Sequence, residues 1–166
     1  LPRDVWQILF PLRYDAELRT AAQEEGLDPA LVAALVLQES SFDPGASSRA
    51  GARGLMQVMP ATGRTIARAK GQRFRRAALH DPETSLDFGT HYLRQMSDRF
   101  SGSVEKVLAS YNAGPHRVDK WTGLRGELPA EEFIESPPPA GGRRRRRRSR
   151  CRRACRSRTC RRCRTC

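Results

Sequence analysis

Apolar positions along this chain recur at helical spacing, and no run of any length alternates at the two-residue period of a strand. Residues 4–25 read as helical, most clearly over Tyr14–Glu25, and Gly26 supplies a stop. Asp28-Pro29 then joins an N-cap side chain to a proline at the first helical position. The helix it opens runs to about residue 40. It carries the unbroken apolar run Leu31-Val32-Ala33-Ala34-Leu35-Val36-Leu37 and so is apolar on every side. Such a helix belongs in the middle of a domain. Yet its last turn carries Glu39, spaced to share a face with Leu31 and Leu35.

Asp43-Pro44 breaks this helix, and residues 45–58 read as a loop with short extended pieces. Pro60 starts a helix of about 60–69, with Gly71 just beyond it. Asp81-Pro82 repeats the cap-plus-proline signal and opens a helix to about Phe100, with Leu86, Leu93, Met96 and Phe100 on one stripe. Ser103 is placed to cap a further helix with Val104, Val107, Leu108 and Tyr111 on its apolar face, closed by Gly114-Pro115. Short helices are expected at "HRVDKW" and over Pro129–Glu135. No heptad persists and no internal repeat is visible. The expected class is all-α, an irregular helical domain.

Three polar stretches interrupt the pattern where a helix meets a loop: "QESSFDP", "GARGLMQVMPATG" and "ASYNAGP". Ends of that kind are where a rigid scaffold presents groups to a ligand. A carboxylic acid on an apolar face is desolvated, which raises its pKa and suits it to general-acid work near neutrality. Glu39 is the candidate; a solvated last-turn glutamate is equally compatible with the spacing. Gln57 could donate to a substrate oxygen or satisfy loop backbone. Tyr111 reads as a core tyrosine whose phenol needs a partner, a role an active-site carboxyl would fill. Met56 and Met59 read as core filler. His80, His91 and His116 show no metal-ligand spacing and read as surface residues, and "GASSRAGARG" lacks the strand and the Lys-Ser/Thr of a phosphate loop. Neither a metal nor a cofactor is expected.

Composition changes the picture at one end. The formal charge of +13 comes from a tail: 14 of the 31 basic residues lie from Gly141 onward, with none of the 18 acidic ones. The remainder therefore holds 17 basic and 18 acidic residues, net −1. All five cysteines also lie in the tail, so the body neither requires nor excludes an oxidising compartment. No segment approaches the ~18 apolar residues of a membrane span. The chain starts at Leu1 and reads as a fragment or a processed product.

The strings "ESSFDPGASSRAGARGLMQVMPATG", "DPETSLDFGTHYL", "SYNAGPHRVDKW" and "FIES" together resemble the catalytic domain of soluble lytic transglycosylases, whose fold is similar to goose-type lysozyme. The resemblance runs in order from about Leu27 to Ser136. It implies a lytic transglycosylase domain over 27–136, preceded by a helical lead-in over 1–26 and followed by a tail over 137–166. It implies that Glu39 is the single catalytic acid/base and that Ser48 lies near it and the reacting sugar. It further implies that Gln57 and Asn112 contact the glycan, that Met59 lines the cleft, and that Tyr111 contacts both glutamate and sugar. The implied substrate is the peptidoglycan glycan strand, cut at the β-1,4 link from N-acetylmuramic acid to N-acetylglucosamine, with a 1,6-anhydro ring in the product. A monomer in the periplasm or cell envelope is expected, with no specific nucleic acid as partner.

The residues themselves agree with a one-carboxylate reaction. Most glycosidases flank the bond with two carboxylates. Here Asp43 precedes a proline in an exposed turn and is a poor nucleophile candidate, so the substrate would supply the rest. Other readings are a hydrolysing muramidase and a weakly active or glycan-binding domain, because the family's next segment, of the form "IPF-x-E-T-R-x-YV", is absent after "FIES". In its place stands "PPPAGGRRRRRRSRCRRACRSRTCRRCRTC".

Three explanations of that tail compete: an arm for anionic polymers, which would make a basic interaction protein, a zinc site at Cys160, Cys163 and Cys166, and an out-of-frame product. Every residue from Ser136 on is Ser, Pro, Ala, Gly, Arg, Cys or Thr, all encodable with G or C in the middle codon position. A GC-rich gene read out of frame yields that composition, and the break falls where the resemblance stops. With no apolar side chain beyond Ala and Cys, the tail is expected to be disordered and to carry no function of the enzyme.

Overall fold

A computed structural model of the chain describes residues 13–126 and 129–135. The expected lead-in before Arg13 and the expected disorder of the 137–166 tail lie outside the described residues. Seven α-helices and one 3-10 turn are present there: α1 (Asp15–Glu24), α2 (Pro29–Ser40), α3 (Pro60–Ala69), the 3-10 turn (Arg76–His80), α4 (Pro82–Arg99), α5 (Val104–Ala113), α6 (Pro115–Arg125) and α7 (Ala130–Glu135). The chain divides after Asp119 into two units, with α1 to α5 in the first and α7 in the second. Among the described residues extended backbone pairs only at isolated antiparallel bridges, Ser47 with Arg53 and Arg53 with Val58. The all-α expectation holds.

Local signals set the helix starts. Asp28 Oδ1 accepts the Ala30 amide at 2.9 Å, and Asp81 Oδ2 accepts the Thr84 amide at 3.0 Å, each followed by proline. Ser103 behaves differently from its expected role. It occupies the cap position of α5, but its hydroxyl donates to the Glu105 carboxylate instead of accepting a backbone amide. That donation is the main reason the Glu105 carboxyl is held below its ordinary value.

The central helix is α4, not the uniformly apolar α2. It packs against α1, α3, α5 and the 3-10 turn, whereas α2 packs chiefly on α1. Small residues explain the difference. Ser85, Gly89 and Thr90 are buried on α4 beside Leu86, Phe88, Leu93 and Met96, and they let neighbours approach its backbone closely. In α2 only Val32, Leu35 and Val36 are buried, while Leu37 is 41% exposed and Ala34 also faces outward. Apolar content alone did not place it centrally.

The 3-10 turn is absent from the periodicity of the sequence, because its five residues contribute a single buried apolar side chain, Leu79. Two of the three histidines are not the free surface residues expected. His80 is half-buried and bonded on both ring nitrogens, and His91 Nδ1 lies 2.8 Å from Glu25 Oε1. Only His116 is exposed.

Candidate active site

The loop of residues 41–59 is tied down along its length by hydrogen bonds to itself and to the helices around it. It leaves α2 through two left-handed residues, Ser41 (φ 52°) and Phe42 (φ 62°), and Phe42 is buried as an anchor. Asp43, exposed, closes the next turn by accepting the Gly45 amide at 2.8 Å. Gly54 (φ 78°) lies so close to the 3-10 turn that a Cβ there would sit 1.8 Å from the Leu79 carbonyl oxygen. Only glycine serves that position, for conformation and for space.

The two residues that follow are held from three helices. The Leu55 carbonyl accepts Ser40 Oγ of α2 at 2.8 Å. The Met56 amide donates to Ser85 Oγ of α4 at 3.3 Å, and the Met56 carbonyl accepts the Tyr111 hydroxyl of α5 at 2.8 Å. Leu55 and Met56 are fully buried, so their polar backbone groups would cost free energy if left unpaired. The phenol of Tyr111, whose partner the sequence left open, thus donates to a backbone carbonyl. Its ring packs at 5.4 Å and a 58° tilt against Tyr92 of α4.

A cleft of about 190 Å³ opens beside this loop, lined by Gln57, Val58, Met59, Thr62, Tyr92, Tyr111, Asn112, Ala113 and Gly114. Four of the six residues singled out from the sequence, Gln57, Met59, Tyr111 and Asn112, meet there from segments over fifty positions apart. Met59 is 41% exposed, which corrects its reading as core filler; Met56 is the buried one. Gln57 adopts a left-handed φ of 48°, rare for a residue with a side chain. Its amide nitrogen donates to the carbonyls of Ala46 at 3.2 Å and Gly54 at 3.0 Å, so that nitrogen serves the loop. With two acceptors against the nitrogen, the amide oxygen is the end left for a ligand.

Glu39 does not line the cleft but stands beside it. Burial pushes its carboxyl above the ordinary glutamate value. Burial first, then the charges of Glu39 and Tyr92, push the Tyr111 phenol far above its ordinary value, so Glu39 is within electrostatic reach of the cleft wall. Desolvation likewise raises Tyr92, against the pull of Arg99. Both phenols therefore stay protonated as donors. Among the described residues that line the cleft there is no Asp or Glu. Ser48 also stands outside the lining: it is exposed, its Oγ accepts the Ala52 amide at 3.0 Å, and it closes the 48–52 turn.

Sequence reasoning missed Tyr92 and Thr62. Tyr92 stands one position before the buried Leu93 of α4, and only its approach to Tyr111 marks it. A larger hollow, about 700 Å³, is lined by Glu17, Glu24, Glu83, Asp87 and Lys70 among others and shares no residue with the cleft. Lys70 there pairs with Asp87 and, at 3.7 Å, with Glu25. Among the described residues no group of His, Cys, Asp and Glu could hold a metal, and no helix is long and apolar enough to cross a membrane.

Residues 17–134 match the transglycosylase SLT domain. The chain belongs to this family. It is 34% identical over 136 residues to the soluble lytic murein transglycosylase of Escherichia coli K12, covering 76% of this chain and 20% of that protein. It is also 34% identical over 136 residues to the membrane-bound lytic murein transglycosylase C of Sodalis glossinidius, covering 70% of this chain and 38% of the relative. Among solved structures, an inactive mutant of lytic transglycosylase Slt from Pseudomonas aeruginosa superposes with a TM-score of 0.75 at 34% identity, over 81% of this chain and 22% of that one. The 70-kDa soluble lytic transglycosylase bound to bulgecin A gives a TM-score of 0.75 at 31% identity, over 82% and 23%. The chain thus spans about a fifth of the length of the soluble relatives it matches.

Proposed function

We propose that this SLT domain, with 27–136 as its catalytic part, cleaves the peptidoglycan strand as a lytic transglycosylase. The bond is the β-1,4 link from N-acetylmuramic acid to N-acetylglucosamine. The observation that carries this reading is a desolvated carboxyl, Glu39, beside a cleft whose lining, among the described residues, holds no second carboxylate. Two-carboxylate hydrolysis needs a base or nucleophile across the bond, and the described residues that line the cleft supply none.

One acid suffices for the following sequence. Protonated Glu39 gives its proton to the glycosidic oxygen, and the bond from that oxygen to the muramic anomeric carbon breaks. The neighbouring N-acetyl group stabilises the positive carbon. The sugar's own C6 hydroxyl then attacks it, and the Glu39 carboxylate takes the hydroxyl proton. The acid is regenerated and no water is consumed. Gln57 through its oxygen, Asn112 and the apolar wall of Met59 and Tyr92 would hold the glycan; Tyr111 fixes the wall by its bond to Met56. Ser48 would act through the turn it closes. Relatives named for murein support a place in the cell envelope.

Purified peptidoglycan digested by the chain should yield muropeptides lighter by one water than hydrolysis products. Hydrated reducing ends would make the domain a muramidase. Glycan binding without any product would make it a binding module. Glu39→Gln should abolish turnover with the fold intact, and retained activity would remove Glu39 from the chemistry.

A further inference from the structure

The 41–59 loop is clamped at a residue that the proposed chemistry does not use. His80, at the end of the 3-10 turn, places Nδ1 3.0 Å from the Pro44 carbonyl and Nε2 3.2 Å from Arg53 Nη1. A carbonyl oxygen only accepts and a guanidinium only donates. Nδ1 must therefore carry the hydrogen and Nε2 must be bare. The two partners select one state of the ring between them: neutral, Nδ1–H. A charged ring would lose its acceptor and set a second cation against Arg53.

Pro44 and Arg53 belong to opposite limbs of the loop, which also meet where the Gly54 amide donates to the Ala46 carbonyl at 3.0 Å. From Arg53 the connection to the cleft is short. Its backbone exchanges bonds of 3.1 and 3.0 Å with Val58, and Gln57 and Val58 line the cleft. Among the described residues the Arg53 side chain has little else to hold it. Its Nε is buried without a partner, and no carboxylate pairs with it among the described residues.

We propose that His80 is a positioning residue: as the Nδ1–H tautomer it latches both limbs of the 41–59 loop to the 3-10 turn and so sets Gln57 and Val58 at the cleft and the Met56 carbonyl that accepts from Tyr111. Its kinetic consequence rests on the glycan-cleaving reading; the latch itself does not. Substitutions divide its two bonds. Asn at position 80 can keep the donor to Pro44, Gln can keep the acceptor for Arg53, and Leu keeps neither.

The ring state is read directly by long-range ¹H–¹⁵N spectra of the whole chain at neutral pH, with His80→Gln assigning the signal and exposed His116 as internal reference. A bare Nε2 and a protonated Nδ1 are expected; an Nε2–H ring overturns the proposal. Amide exchange at residues 54–58 should quicken about tenfold or more in His80→Leu, with the α4 amides unchanged. Equal exchange in the loop overturns it too. In peptidoglycan digestion, His80→Leu should lose ~10- to 100-fold, mainly in kcat, as misplaced groups do. His80→Asn and His80→Gln should fall between Leu and wild type. A His80→Leu chain that digests as fast as wild type sinks the positioning role. Should that variant fail to fold, the wild-type ring spectrum still decides. If wild type gives no anhydro product, the glycan reading fails, and spectrum and exchange alone judge the latch.

Discussion

Alanine at position 89 should destabilise this domain, although helix propensity by itself predicts the reverse. Gly89 lies within α4 and is buried. In an ordinary helix interior, glycine to alanine gains about 1 kcal/mol. Here an added Cβ would stand 2.3 Å from Met56 Sδ, 2.5 Å from Met56 Cβ and 2.8 Å from Met56 Cγ. Carbon atoms rest ~3.5–4.0 Å apart, so the overlap with Met56 Cβ is about 1 Å. The sulfur can swing aside, but Cβ moves only with its backbone. That backbone is held by Ser85 at the amide and Tyr111 at the carbonyl. Overpacking of this kind costs ~1–3 kcal/mol or somewhat more, and the upper part of that range applies because the obstructing atom is fixed. After the propensity gain, a net loss of ~1–2 kcal/mol remains, a fall in Tm of roughly 3–10 °C for a domain of this size. Thermal and urea unfolding of Gly89→Ala against wild type measure it. Peptidoglycan digestion should fall as well, because Met56 carries the carbonyl that anchors Tyr111. A variant that melts at or above wild type would refute the reasoning, since Met56 would then have yielded without cost.

Two further predictions concern the groups around the cleft. Tyr111→Phe leaves the buried Met56 carbonyl without its donor, so unfolding should become easier by ~1–3 kcal/mol, measured by urea titration; an unchanged midpoint would mean that the carbonyl finds another partner. Glu39 carries a pH signature. Burial raises its folded-state value above the unfolded one, so in the window between them the folded chain keeps a proton that the unfolded chain releases. Stability is therefore lost as pH rises through that window. Glu39→Gln removes the effect: it should be at least as stable as wild type at pH 7, the difference vanishing below the ordinary carboxylate value of about 4.3. Parallel stability curves from acid to neutral pH would contradict it.

The helices that carry the site were legible because their signals are local. Asp28-Pro29 and Asp81-Pro82 place their own caps within three residues, and α2 and α4 begin where those pairs stand. Glu39 and Asn112 were conspicuous as polar residues at helix ends, and Gln57 as one in the loop between two helices. The all-α class followed from period alone. Packing order was different. Apolar content pointed to α2 as the central helix, whereas small buried residues gave that place to α4, and smallness looks like nothing in a hydrophobic pattern. Tyr111 shows the same limit: its position on α5 told that its phenol needs a partner, but the partner is a carbonyl 55 positions away. His80 bonds Pro44 and Arg53, 36 and 27 positions back. Caps, prolines and periodicity act between neighbours in the chain and can be read there. A backbone group inside the fold takes whichever donor the tertiary packing brings within reach, and only the assembled helices determine which one that is.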